Sequence, residues 1–356
     1  MCTIIYFQNN IGSYYMDLSL KNQRRAFGAF WQLARPRTCL VSILAFTFGM
    51  EITGGQWGVR PGLGIVVTLL VPIVANLHNA YTDTAEDEAN LPGRAGLVRA
   101  AGLQKLKITV WVGISLIVLM SSYMGISQLI LAAFGIPLLI FYSAPPIRAK
   151  ARPILGLVIF SLVIAFPFIA GAIVTNNWWE LRNPWTVTTI GWFLCLIVFF
   201  VAKGLVKNVP DFYGDMTAGL RTSATVMGTL RRAAQMAVIG TWTAYALILI
   251  TVYLTESSQL LYLIVPWAIV AAWHVTRLTK SSSQGYLNSV LKWDMVVSVV
   301  TLSILVITSR VSLIAIVTVS GCILILVTAD LIGRDSRSPE HMTQREVGNE
   351  NYESYV

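Results

Sequence analysis

Two short acidic segments carry carboxylates at helical spacing, each directly after a long apolar run. NAYTDTAED places Asp83 and Asp87 four residues apart, and Asn79 lies four residues before Asp83. KNVPDFYGD repeats the spacing at Asp211 and Asp215. Because residues four apart share one face of a helix, each segment predicts a stripe of oxygen ligands.

Hard oxygen ligands in pairs suit Mg²⁺, which binds a few carboxylates together with water and phosphate oxygens. Two facing stripes would hold a diphosphate through shared Mg²⁺ ions, whereas without metal the same carboxylates would repel that anion. The candidate metal ligands are Asn79, Asp83, Asp87, Asp211 and Asp215. The plainer interpretation, that acids at a membrane boundary are simply solvated, explains one such cluster better than two.

Basic residues lie near both segments. Arg94 and Arg221 follow the two segments by seven and six residues, and Lys207 lies four residues before the second aspartate pair. Guanidinium and ammonium groups at these places could contact phosphate oxygens that the metals leave free. The alternative is that they only anchor the chain at a membrane surface, which is the better account of Arg231 and Arg232.

The elements that position these residues are membrane helices. Of the 356 residues, 55% are hydrophobic and 12% charged, and the mean hydropathy is +0.66, which excludes an ordinary soluble domain. A span needs about 20 mostly apolar residues. Ten candidates follow: 39–54, 62–81, 106–124, 126–143, 154–175, 187–206, 233–254, 259–276, 293–309 and 311–330.

The basic residues predict the orientation of these spans. In the ten-span arrangement 23 of the 26 Lys and Arg residues fall on one side, and only Arg60, Arg182 and Arg310 fall on the other. Such asymmetry predicts that the basic side is cytoplasmic. Both termini and both acidic segments would then be cytoplasmic.

The ends of the chain are polar. We expect an N-terminal cytoplasmic segment at 1–33 without a cleaved signal peptide, a transmembrane domain at 34–331, and a disordered tail at 332–356. The four scattered cysteines predict neither a disulfide framework nor a zinc site. His78, beside Asn79, is better interpreted as a packing residue than as a ligand.

Four stretches together resemble the UbiA-type intramembrane prenyltransferase superfamily. They are ARPRT at 34–38, the pattern from Asn79 to Asp87 with Pro92 and Arg94 downstream, YSAPPIRAKARP at 142–153, and KNVPDFYGDMTAGLRTSATVMG around the second aspartate pair. They occur in the family's order between residue 34 and about residue 228. Residues 229–356 resemble the family only as a set of hydrophobic spans.

The resemblance implies an all-α polytopic bundle of about nine or ten transmembrane helices around a central cavity open to the cytoplasmic side. It also implies that the catalytic residues are Asp83, Asp87, Asp211 and Asp215, which with Asn79 would hold an isoprenyl diphosphate through Mg²⁺. Lys207, Arg94 and Arg221 would contact the diphosphate. Arg148 and Lys150 would lie nearby. Aromatic rings could stabilise an allylic cation, and the candidates are Tyr81, Tyr142, Phe166, Phe168 and Tyr213, whereas Trp178 and Trp179 are expected at the far membrane boundary.

The expected reaction is transfer of the isoprenyl group to an aromatic or quinone-type acceptor, with release of diphosphate. The alternative within the family is a terpene cyclase, which has no acceptor, and intact aspartate motifs do not separate the two. A transporter is disfavoured because the acids of the two motifs lie at span ends and almost none occur inside the spans. The expected partners are therefore isoprenyl diphosphate, the small-molecule acceptor and membrane lipid, with no nucleic acid.

Overall fold

The computed structural model describes residues 26–84, 87, 93–175, 187–255 and 259–332, with side chains as far as Thr328. Within these ranges all regular structure is helical, which confirms the predicted all-α class. Residues 26–34 form a helix, and those that follow are α1 (Pro36–Ile52), α2 (Val59–Thr82), α3 (Arg94–Ala101), α4 (Leu103–Met124), α5 (Ile126–Ser143), α6 (Pro153–Ile173), α7 (Val187–Asn208), α8 (Phe212–Thr217), α9 (Leu230–Leu254), α10 (Ile264–Val275), α11 (Gln284–Ser309) and α12 (Leu313–Ile332).

Each of the ten predicted spans coincides with a helix. Eight helical segments of the described chain are long and apolar enough to cross a membrane. Helix α1, with 17 residues, and the apolar part of α12, Leu313–Thr328, are shorter. The length of α1 is limited by Pro36, which favours a first helical position, and by the left-handed turn at Gly54, where φ is 68°.

Helix α1 lies at the centre of the bundle. Every residue from Ser42 to Glu51 is buried, and α1 packs against α2, α6, α11 and α12. Its approach to α6 is closest at two glycines: a methyl group on Gly49 would overlap the carbonyl of Phe168, and one on Gly171 would overlap the carbonyl of Phe46. Small residues that let two backbones touch are a common device for joining helices in membranes.

Aromatic side chains fill the bundle beside this contact. Phe48 meets Trp192 edge to face, with ring centroids 5.0 Å apart, and lies 5.3 Å from Phe168. All three are fully buried. This layer belongs to the half of the bundle that contains Glu51, which we call the far end; the half that contains the two aspartate pairs is the acidic end.

The outer face of the bundle is apolar. Large hydrophobic side chains such as Trp111, Phe134, Trp273 and Leu324 are each more than half exposed. Because soluble proteins rarely expose so much apolar surface, this face supports the predicted multi-pass membrane protein.

Some predictions concern residues that the structure does not describe. These are Pro92, Trp178, Trp179, residues 1–25 of the N-terminal segment and the tail beyond residue 332.

Candidate functional site

The first acidic segment keeps its helical spacing past the end of α2. Asp83 follows the last residue of the helix, and its backbone N–H donates to the carbonyl of Asn79 at 2.9 Å. The N–H of Asp87 donates in turn to the carbonyl of Asp83 at 2.8 Å. The three side chains therefore follow one line, as the four-residue spacing predicts.

The second segment forms a separate short helix. Helix α7 ends at Asn208, two residues before Pro210, and Asp211 is the residue directly before α8. The N–H of Asp215 donates to the carbonyl of Asp211 at 2.8 Å, so these two carboxylates also lie one turn apart. The loop after α8 returns to α7 through a 2.8 Å hydrogen bond from Asn208 Nδ2 to Ser223 Oγ.

Both segments line one polar pocket at the acidic end, with an empty volume of ≈ 820 Å³ counted to its open mouth. The predicted site residues in its lining are Asn79, Asp83, Asp87, Arg94, Lys150, Lys207, Asp211 and Asp215. Arg148 and Arg221, which the structure also describes, are not part of this lining, and Arg221 is exposed.

The acids of the first segment have basic partners. Lys150 Nζ lies 2.6 Å from Asp83 Oδ1, and Ser143 Oγ donates to Asp83 Oδ2 at 3.3 Å. Arg94 Nη1 contacts both carboxylate oxygens of Asp87, at 2.9 and 2.8 Å. Lys150 and Ser143 both belong to the YSAPPIRAKARP stretch, so the end of α5 and the connection after it bring a hydroxyl and a cation to the first acidic stripe.

Several buried polar atoms of the pocket lack hydrogen-bond partners among the described residues: Arg94 Nε and Nη2, and Asn79 Oδ1. Leaving such groups unpaired is costly, and a ligand commonly explains them. Anionic oxygens would satisfy the two donors of Arg94, and a metal ion would satisfy the amide oxygen of Asn79. Within the described ranges no three His, Cys, Asp or Glu side chains form a metal site by themselves. That donor set fits Mg²⁺, which needs only one or two carboxylates beside water and phosphate oxygens.

Lys207 lies between two aromatic rings at the inner edge of the pocket. Its Nζ lies 5.7 Å from the ring centroid of Tyr142 and 5.4 Å from that of Phe160, and donates to the Tyr142 hydroxyl at 3.4 Å. Of the five predicted aromatic residues, all within the described ranges, Tyr142 lines the pocket. Of the others, Phe168 is a core residue, Phe166 borders an apolar groove, Tyr213 is 39% exposed and Tyr81 lies under Lys107.

A second, inner cavity continues from the pocket into the bundle. Its empty volume, also counted to its opening, is ≈ 1350 Å³, and it shares Arg35, Asn79, Tyr142, Phe160 and Lys207 with the pocket. Its apolar walls are Val41, Val71, Leu139, Val163, Ile164 and Phe200. The site thus combines a charged mouth with an apolar interior, an arrangement that suits an amphiphilic substrate.

Polar side chains also reach the inner cavity, and sequence analysis did not assign them to the site. They are Arg35, Arg37, Thr38, Ser42, Asn76, Lys203, Asp294 and Ser298. Lys203 and Asp294 lie inside apolar helices, α7 and α11. Ionisable residues within a span commonly mark a functional site, but Lys203 lies near the end of its predicted span, where a basic anchor is common, so that signal is weak for it.

Comparison with known proteins gives a consistent result. The model of the UbiA prenyltransferase family matches residues 39–296. A digeranylgeranylglyceryl phosphate synthase of Methanopyrus kandleri is 27% identical over 204 residues, which cover 56% of this chain and 70% of that protein. The corresponding enzyme of Halobacterium salinarum is 28% identical over 213 residues, covering 58% and 72%. A UbiA homologue from Archaeoglobus fulgidus, bound to GPP and Mg²⁺, shares the fold with a TM-score of 0.61 at 18% identity, over 82% of this chain and 99% of that one.

Proposed function

The chain belongs to the UbiA prenyltransferase family and is a prenyltransferase, and we propose that it uses Mg²⁺ to transfer an isoprenyl group from an isoprenyl diphosphate to an acceptor within the membrane. The observation that carries the proposal is the meeting of two aspartate pairs, from segments far apart in sequence, in one pocket that opens onto an apolar cavity. The structure of the Archaeoglobus homologue with GPP and Mg²⁺ supports the same class of ligands.

Asn79, Asp83 and Asp87 from one side and Asp211 and Asp215 from the other would hold the metal. When bound, Mg²⁺ supplies positive charge that stabilises the departing diphosphate. We place the pocket on the cytoplasmic side, as the distribution of basic residues predicts.

Basic side chains would bind the diphosphate directly. Arg94 has donors without partners among the described residues, while Lys150 and Lys207 line the same pocket. These groups would stabilise negative charge as the allylic C–O bond breaks. Arg148 and Arg221 are predicted for this role by the sequence, but they lie outside the lining and are not needed for the proposal.

The inner cavity would hold the isoprenyl chain. Its aliphatic walls fit a hydrocarbon and exclude water from an allylic cation. Tyr142 and Phe160 lie where the cavity meets the pocket, so their rings could stabilise that cation by about 0.5–2 kcal/mol each.

The nature of the acceptor separates the remaining alternatives. The sequence predicts an aromatic or quinone-type acceptor, whereas the named relatives are synthases of a glyceryl phosphate product. A terpene cyclase would need no acceptor, and polar side chains in the inner cavity therefore favour transfer over cyclisation. We propose transfer, with both acceptor classes to be compared.

The test is diphosphate release by the purified protein in lipid nanodiscs, with Mg²⁺, geranylgeranyl diphosphate and an acceptor panel. We expect Asp83→Asn and Asp211→Asn each to lower the rate by at least about 100-fold, because each removes a charged ligand of the site. Chelation of Mg²⁺ should lower the wild-type rate to the same level.

Glu51→Gln is the matched control. Glu51 is also a buried acid, but it lies at the far end, where its Oε1 accepts hydrogen bonds from Trp57 and Ser312. Its variant should keep the wild-type rate. Full activity in both aspartate variants would contradict the proposed metal site.

A further inference from the structure

A buried ion pair lies on the wall of the inner cavity. Lys203 Nζ of α7 donates to Asp294 Oδ1 of α11 at 2.7 Å, and the two residues are 8% and 2% exposed. Taking two charges out of water is costly, and a pair of well-packed apolar side chains would often serve the fold as well or better. Stability alone therefore gives little reason for this pair.

Aromatic residues enclose the pair on one side. Lys203 Nζ lies 5.1 Å from the ring centroid of Phe199 and 5.6 Å from that of Tyr245. The hydroxyl of Tyr245 is 2.9 Å from Thr301 Oγ1, which also accepts from Trp267 Nε1 at 2.9 Å. These hydrogen bonds hold the ring of Tyr245 beside Lys203, whereas the other side of the ion pair borders the cavity.

The depth of the pair relative to the pocket is defined by the helices. Lys203 precedes Lys207 by four residues on α7, so it lies one helical turn, or about 6 Å, deeper along the same face. On the facing wall Asn76 lies one turn deeper than Asn79, and its Nδ2 donates to Thr38 Oγ1 at 2.8 Å. Lys203, with its partner Asp294, and Asn76 therefore lie about one turn beneath the proposed diphosphate site.

A group in this layer would be next to the carbon that loses the diphosphate. An acceptor must place its nucleophile close to that carbon, at about 3–3.5 Å. An ammonium–carboxylate pair offers a hydroxyl group both of its preferred contacts, since the carboxylate accepts its proton and the ammonium donates to its oxygen. The isoprenyl chain is a hydrocarbon and forms a hydrogen bond with neither group.

We propose that Lys203 and Asp294 bind the hydroxyl group of the prenyl acceptor and so hold it beside the isoprenyl diphosphate. This inference rests on the proposed function and adds the class of acceptor, a molecule that bears a hydroxyl group near its reacting atom. Glycerol ethers and phenols both carry such a hydroxyl, and the acceptors used in the test distinguish the two.

The decisive variant is the double replacement Lys203→Met with Asp294→Leu. Removing one partner leaves a buried charge alone and endangers folding, whereas replacing both with apolar residues of similar size is often neutral or stabilising. Asp294→Asn serves as a second variant because it keeps the shape and removes the charge. Ser303→Ala is the matched control, a buried polar residue of α11 that does not line the cavity.

The measurement is steady-state kinetics in nanodiscs, with geranylgeranylglyceryl phosphate in one arm, 4-hydroxybenzoate in a second and no acceptor in a third. In the arm where the wild type turns over, the double variant should raise the acceptor KM by about tenfold or more, which is the usual effect of losing a hydrogen bond to a charged group. The KM for geranylgeranyl diphosphate and the unfolding temperature should stay near the wild-type values.

The results that would overturn this inference alone differ from those that would also overturn the proposed function. An unchanged acceptor KM in the folded double variant would overturn the inference and leave the proposed function intact. A cyclic product in the arm without acceptor would overturn both, because the wild type would then need no hydroxyl. Absence of turnover by the wild type in all arms would also reject both.

Discussion

At the scale of single residues, the first acidic stripe is neutralised by the protein's own cations. Lys150 pairs with Asp83 and Arg94 with Asp87, and all four side chains are mostly buried. A metal ion that binds these carboxylates takes over part of the role of the two cations. Lys150 and Arg94 then become available to the phosphate oxygens.

This exchange predicts the behaviour of Lys150→Met. Without Mg²⁺ the variant should unfold about 2–5 °C below the wild type, because Asp83 loses its nearest positive charge. Addition of Mg²⁺ should raise the unfolding temperature of the variant more than that of the wild type. Differential scanning fluorimetry in detergent, with and without Mg²⁺, measures both shifts; equal shifts in the two proteins would contradict the exchange.

The residues of the site differ in how far sequence could predict them. Asn79 and the aspartates can be predicted from the sequence because they are related by a local spacing of four residues. The pairing of Lys203 with Asp294 cannot be predicted in this way, because the two residues are 91 positions apart. Taken alone, Lys203 is typical of a basic anchor at the cytoplasmic end of a span, and its side chain lies inside the bundle instead.

At the scale of helices, each span predicted from hydropathy coincides with a helix, and eight helical segments of the described chain are long and apolar enough to cross a membrane. Hydropathy does not predict how the spans pack against one another. Helix α1 is enclosed by the bundle, yet its sequence is no more apolar than that of α4, which exposes Trp111 and Leu119. The close approach of α1 and α6 depends on two glycines that hydropathy does not distinguish from any others.

That contact can be tested with one methyl group. Gly171→Ala should lower the free energy of unfolding by about 1–3 kcal/mol, since the added methyl group overlaps the carbonyl of Phe46 and neither helix backbone can yield without moving the core. Gly62→Ala in α2 is the matched control, because nothing lies within 4 Å of its added methyl group. Urea unfolding in mixed micelles compares them, and equal stability of the two variants would argue against the tight contact.

At the scale of the whole molecule, the fold brings two distant acidic segments to the same end of the bundle. The ten-span arrangement predicts this common end from the parity of the spans, and it places both segments on the basic side. The parity of the spans does not predict that the two segments meet in one pocket, because that depends on how the helices are arranged around α1.

The orientation of the bundle predicts the labelling of single cysteines. In a Cys2→Ser background, Arg232→Cys at the acidic end should react with a membrane-impermeant maleimide from the cytoplasmic side, and Gln56→Cys at the far end from the opposite side. Both positions are exposed, and the native Cys39, Cys195 and Cys322 are buried, so background labelling is low. Comparison of intact cells with inverted vesicles gives the result, and the reverse pattern would invert the predicted topology.

The aromatic layer of Phe48, Phe168 and Trp192 lies in the half of the bundle that contains Glu51, away from the two aspartate pairs, and none of the three residues lines the inner cavity. A charged, water-accessible pocket that reaches into a bilayer would be a route for proton leakage if its floor were loosely packed. Three fully buried rings beside a glycine contact between α1 and α6 close this route within the part of the bundle that the structure describes. We therefore expect the protein to add no measurable proton leak to liposomes that carry a pH gradient.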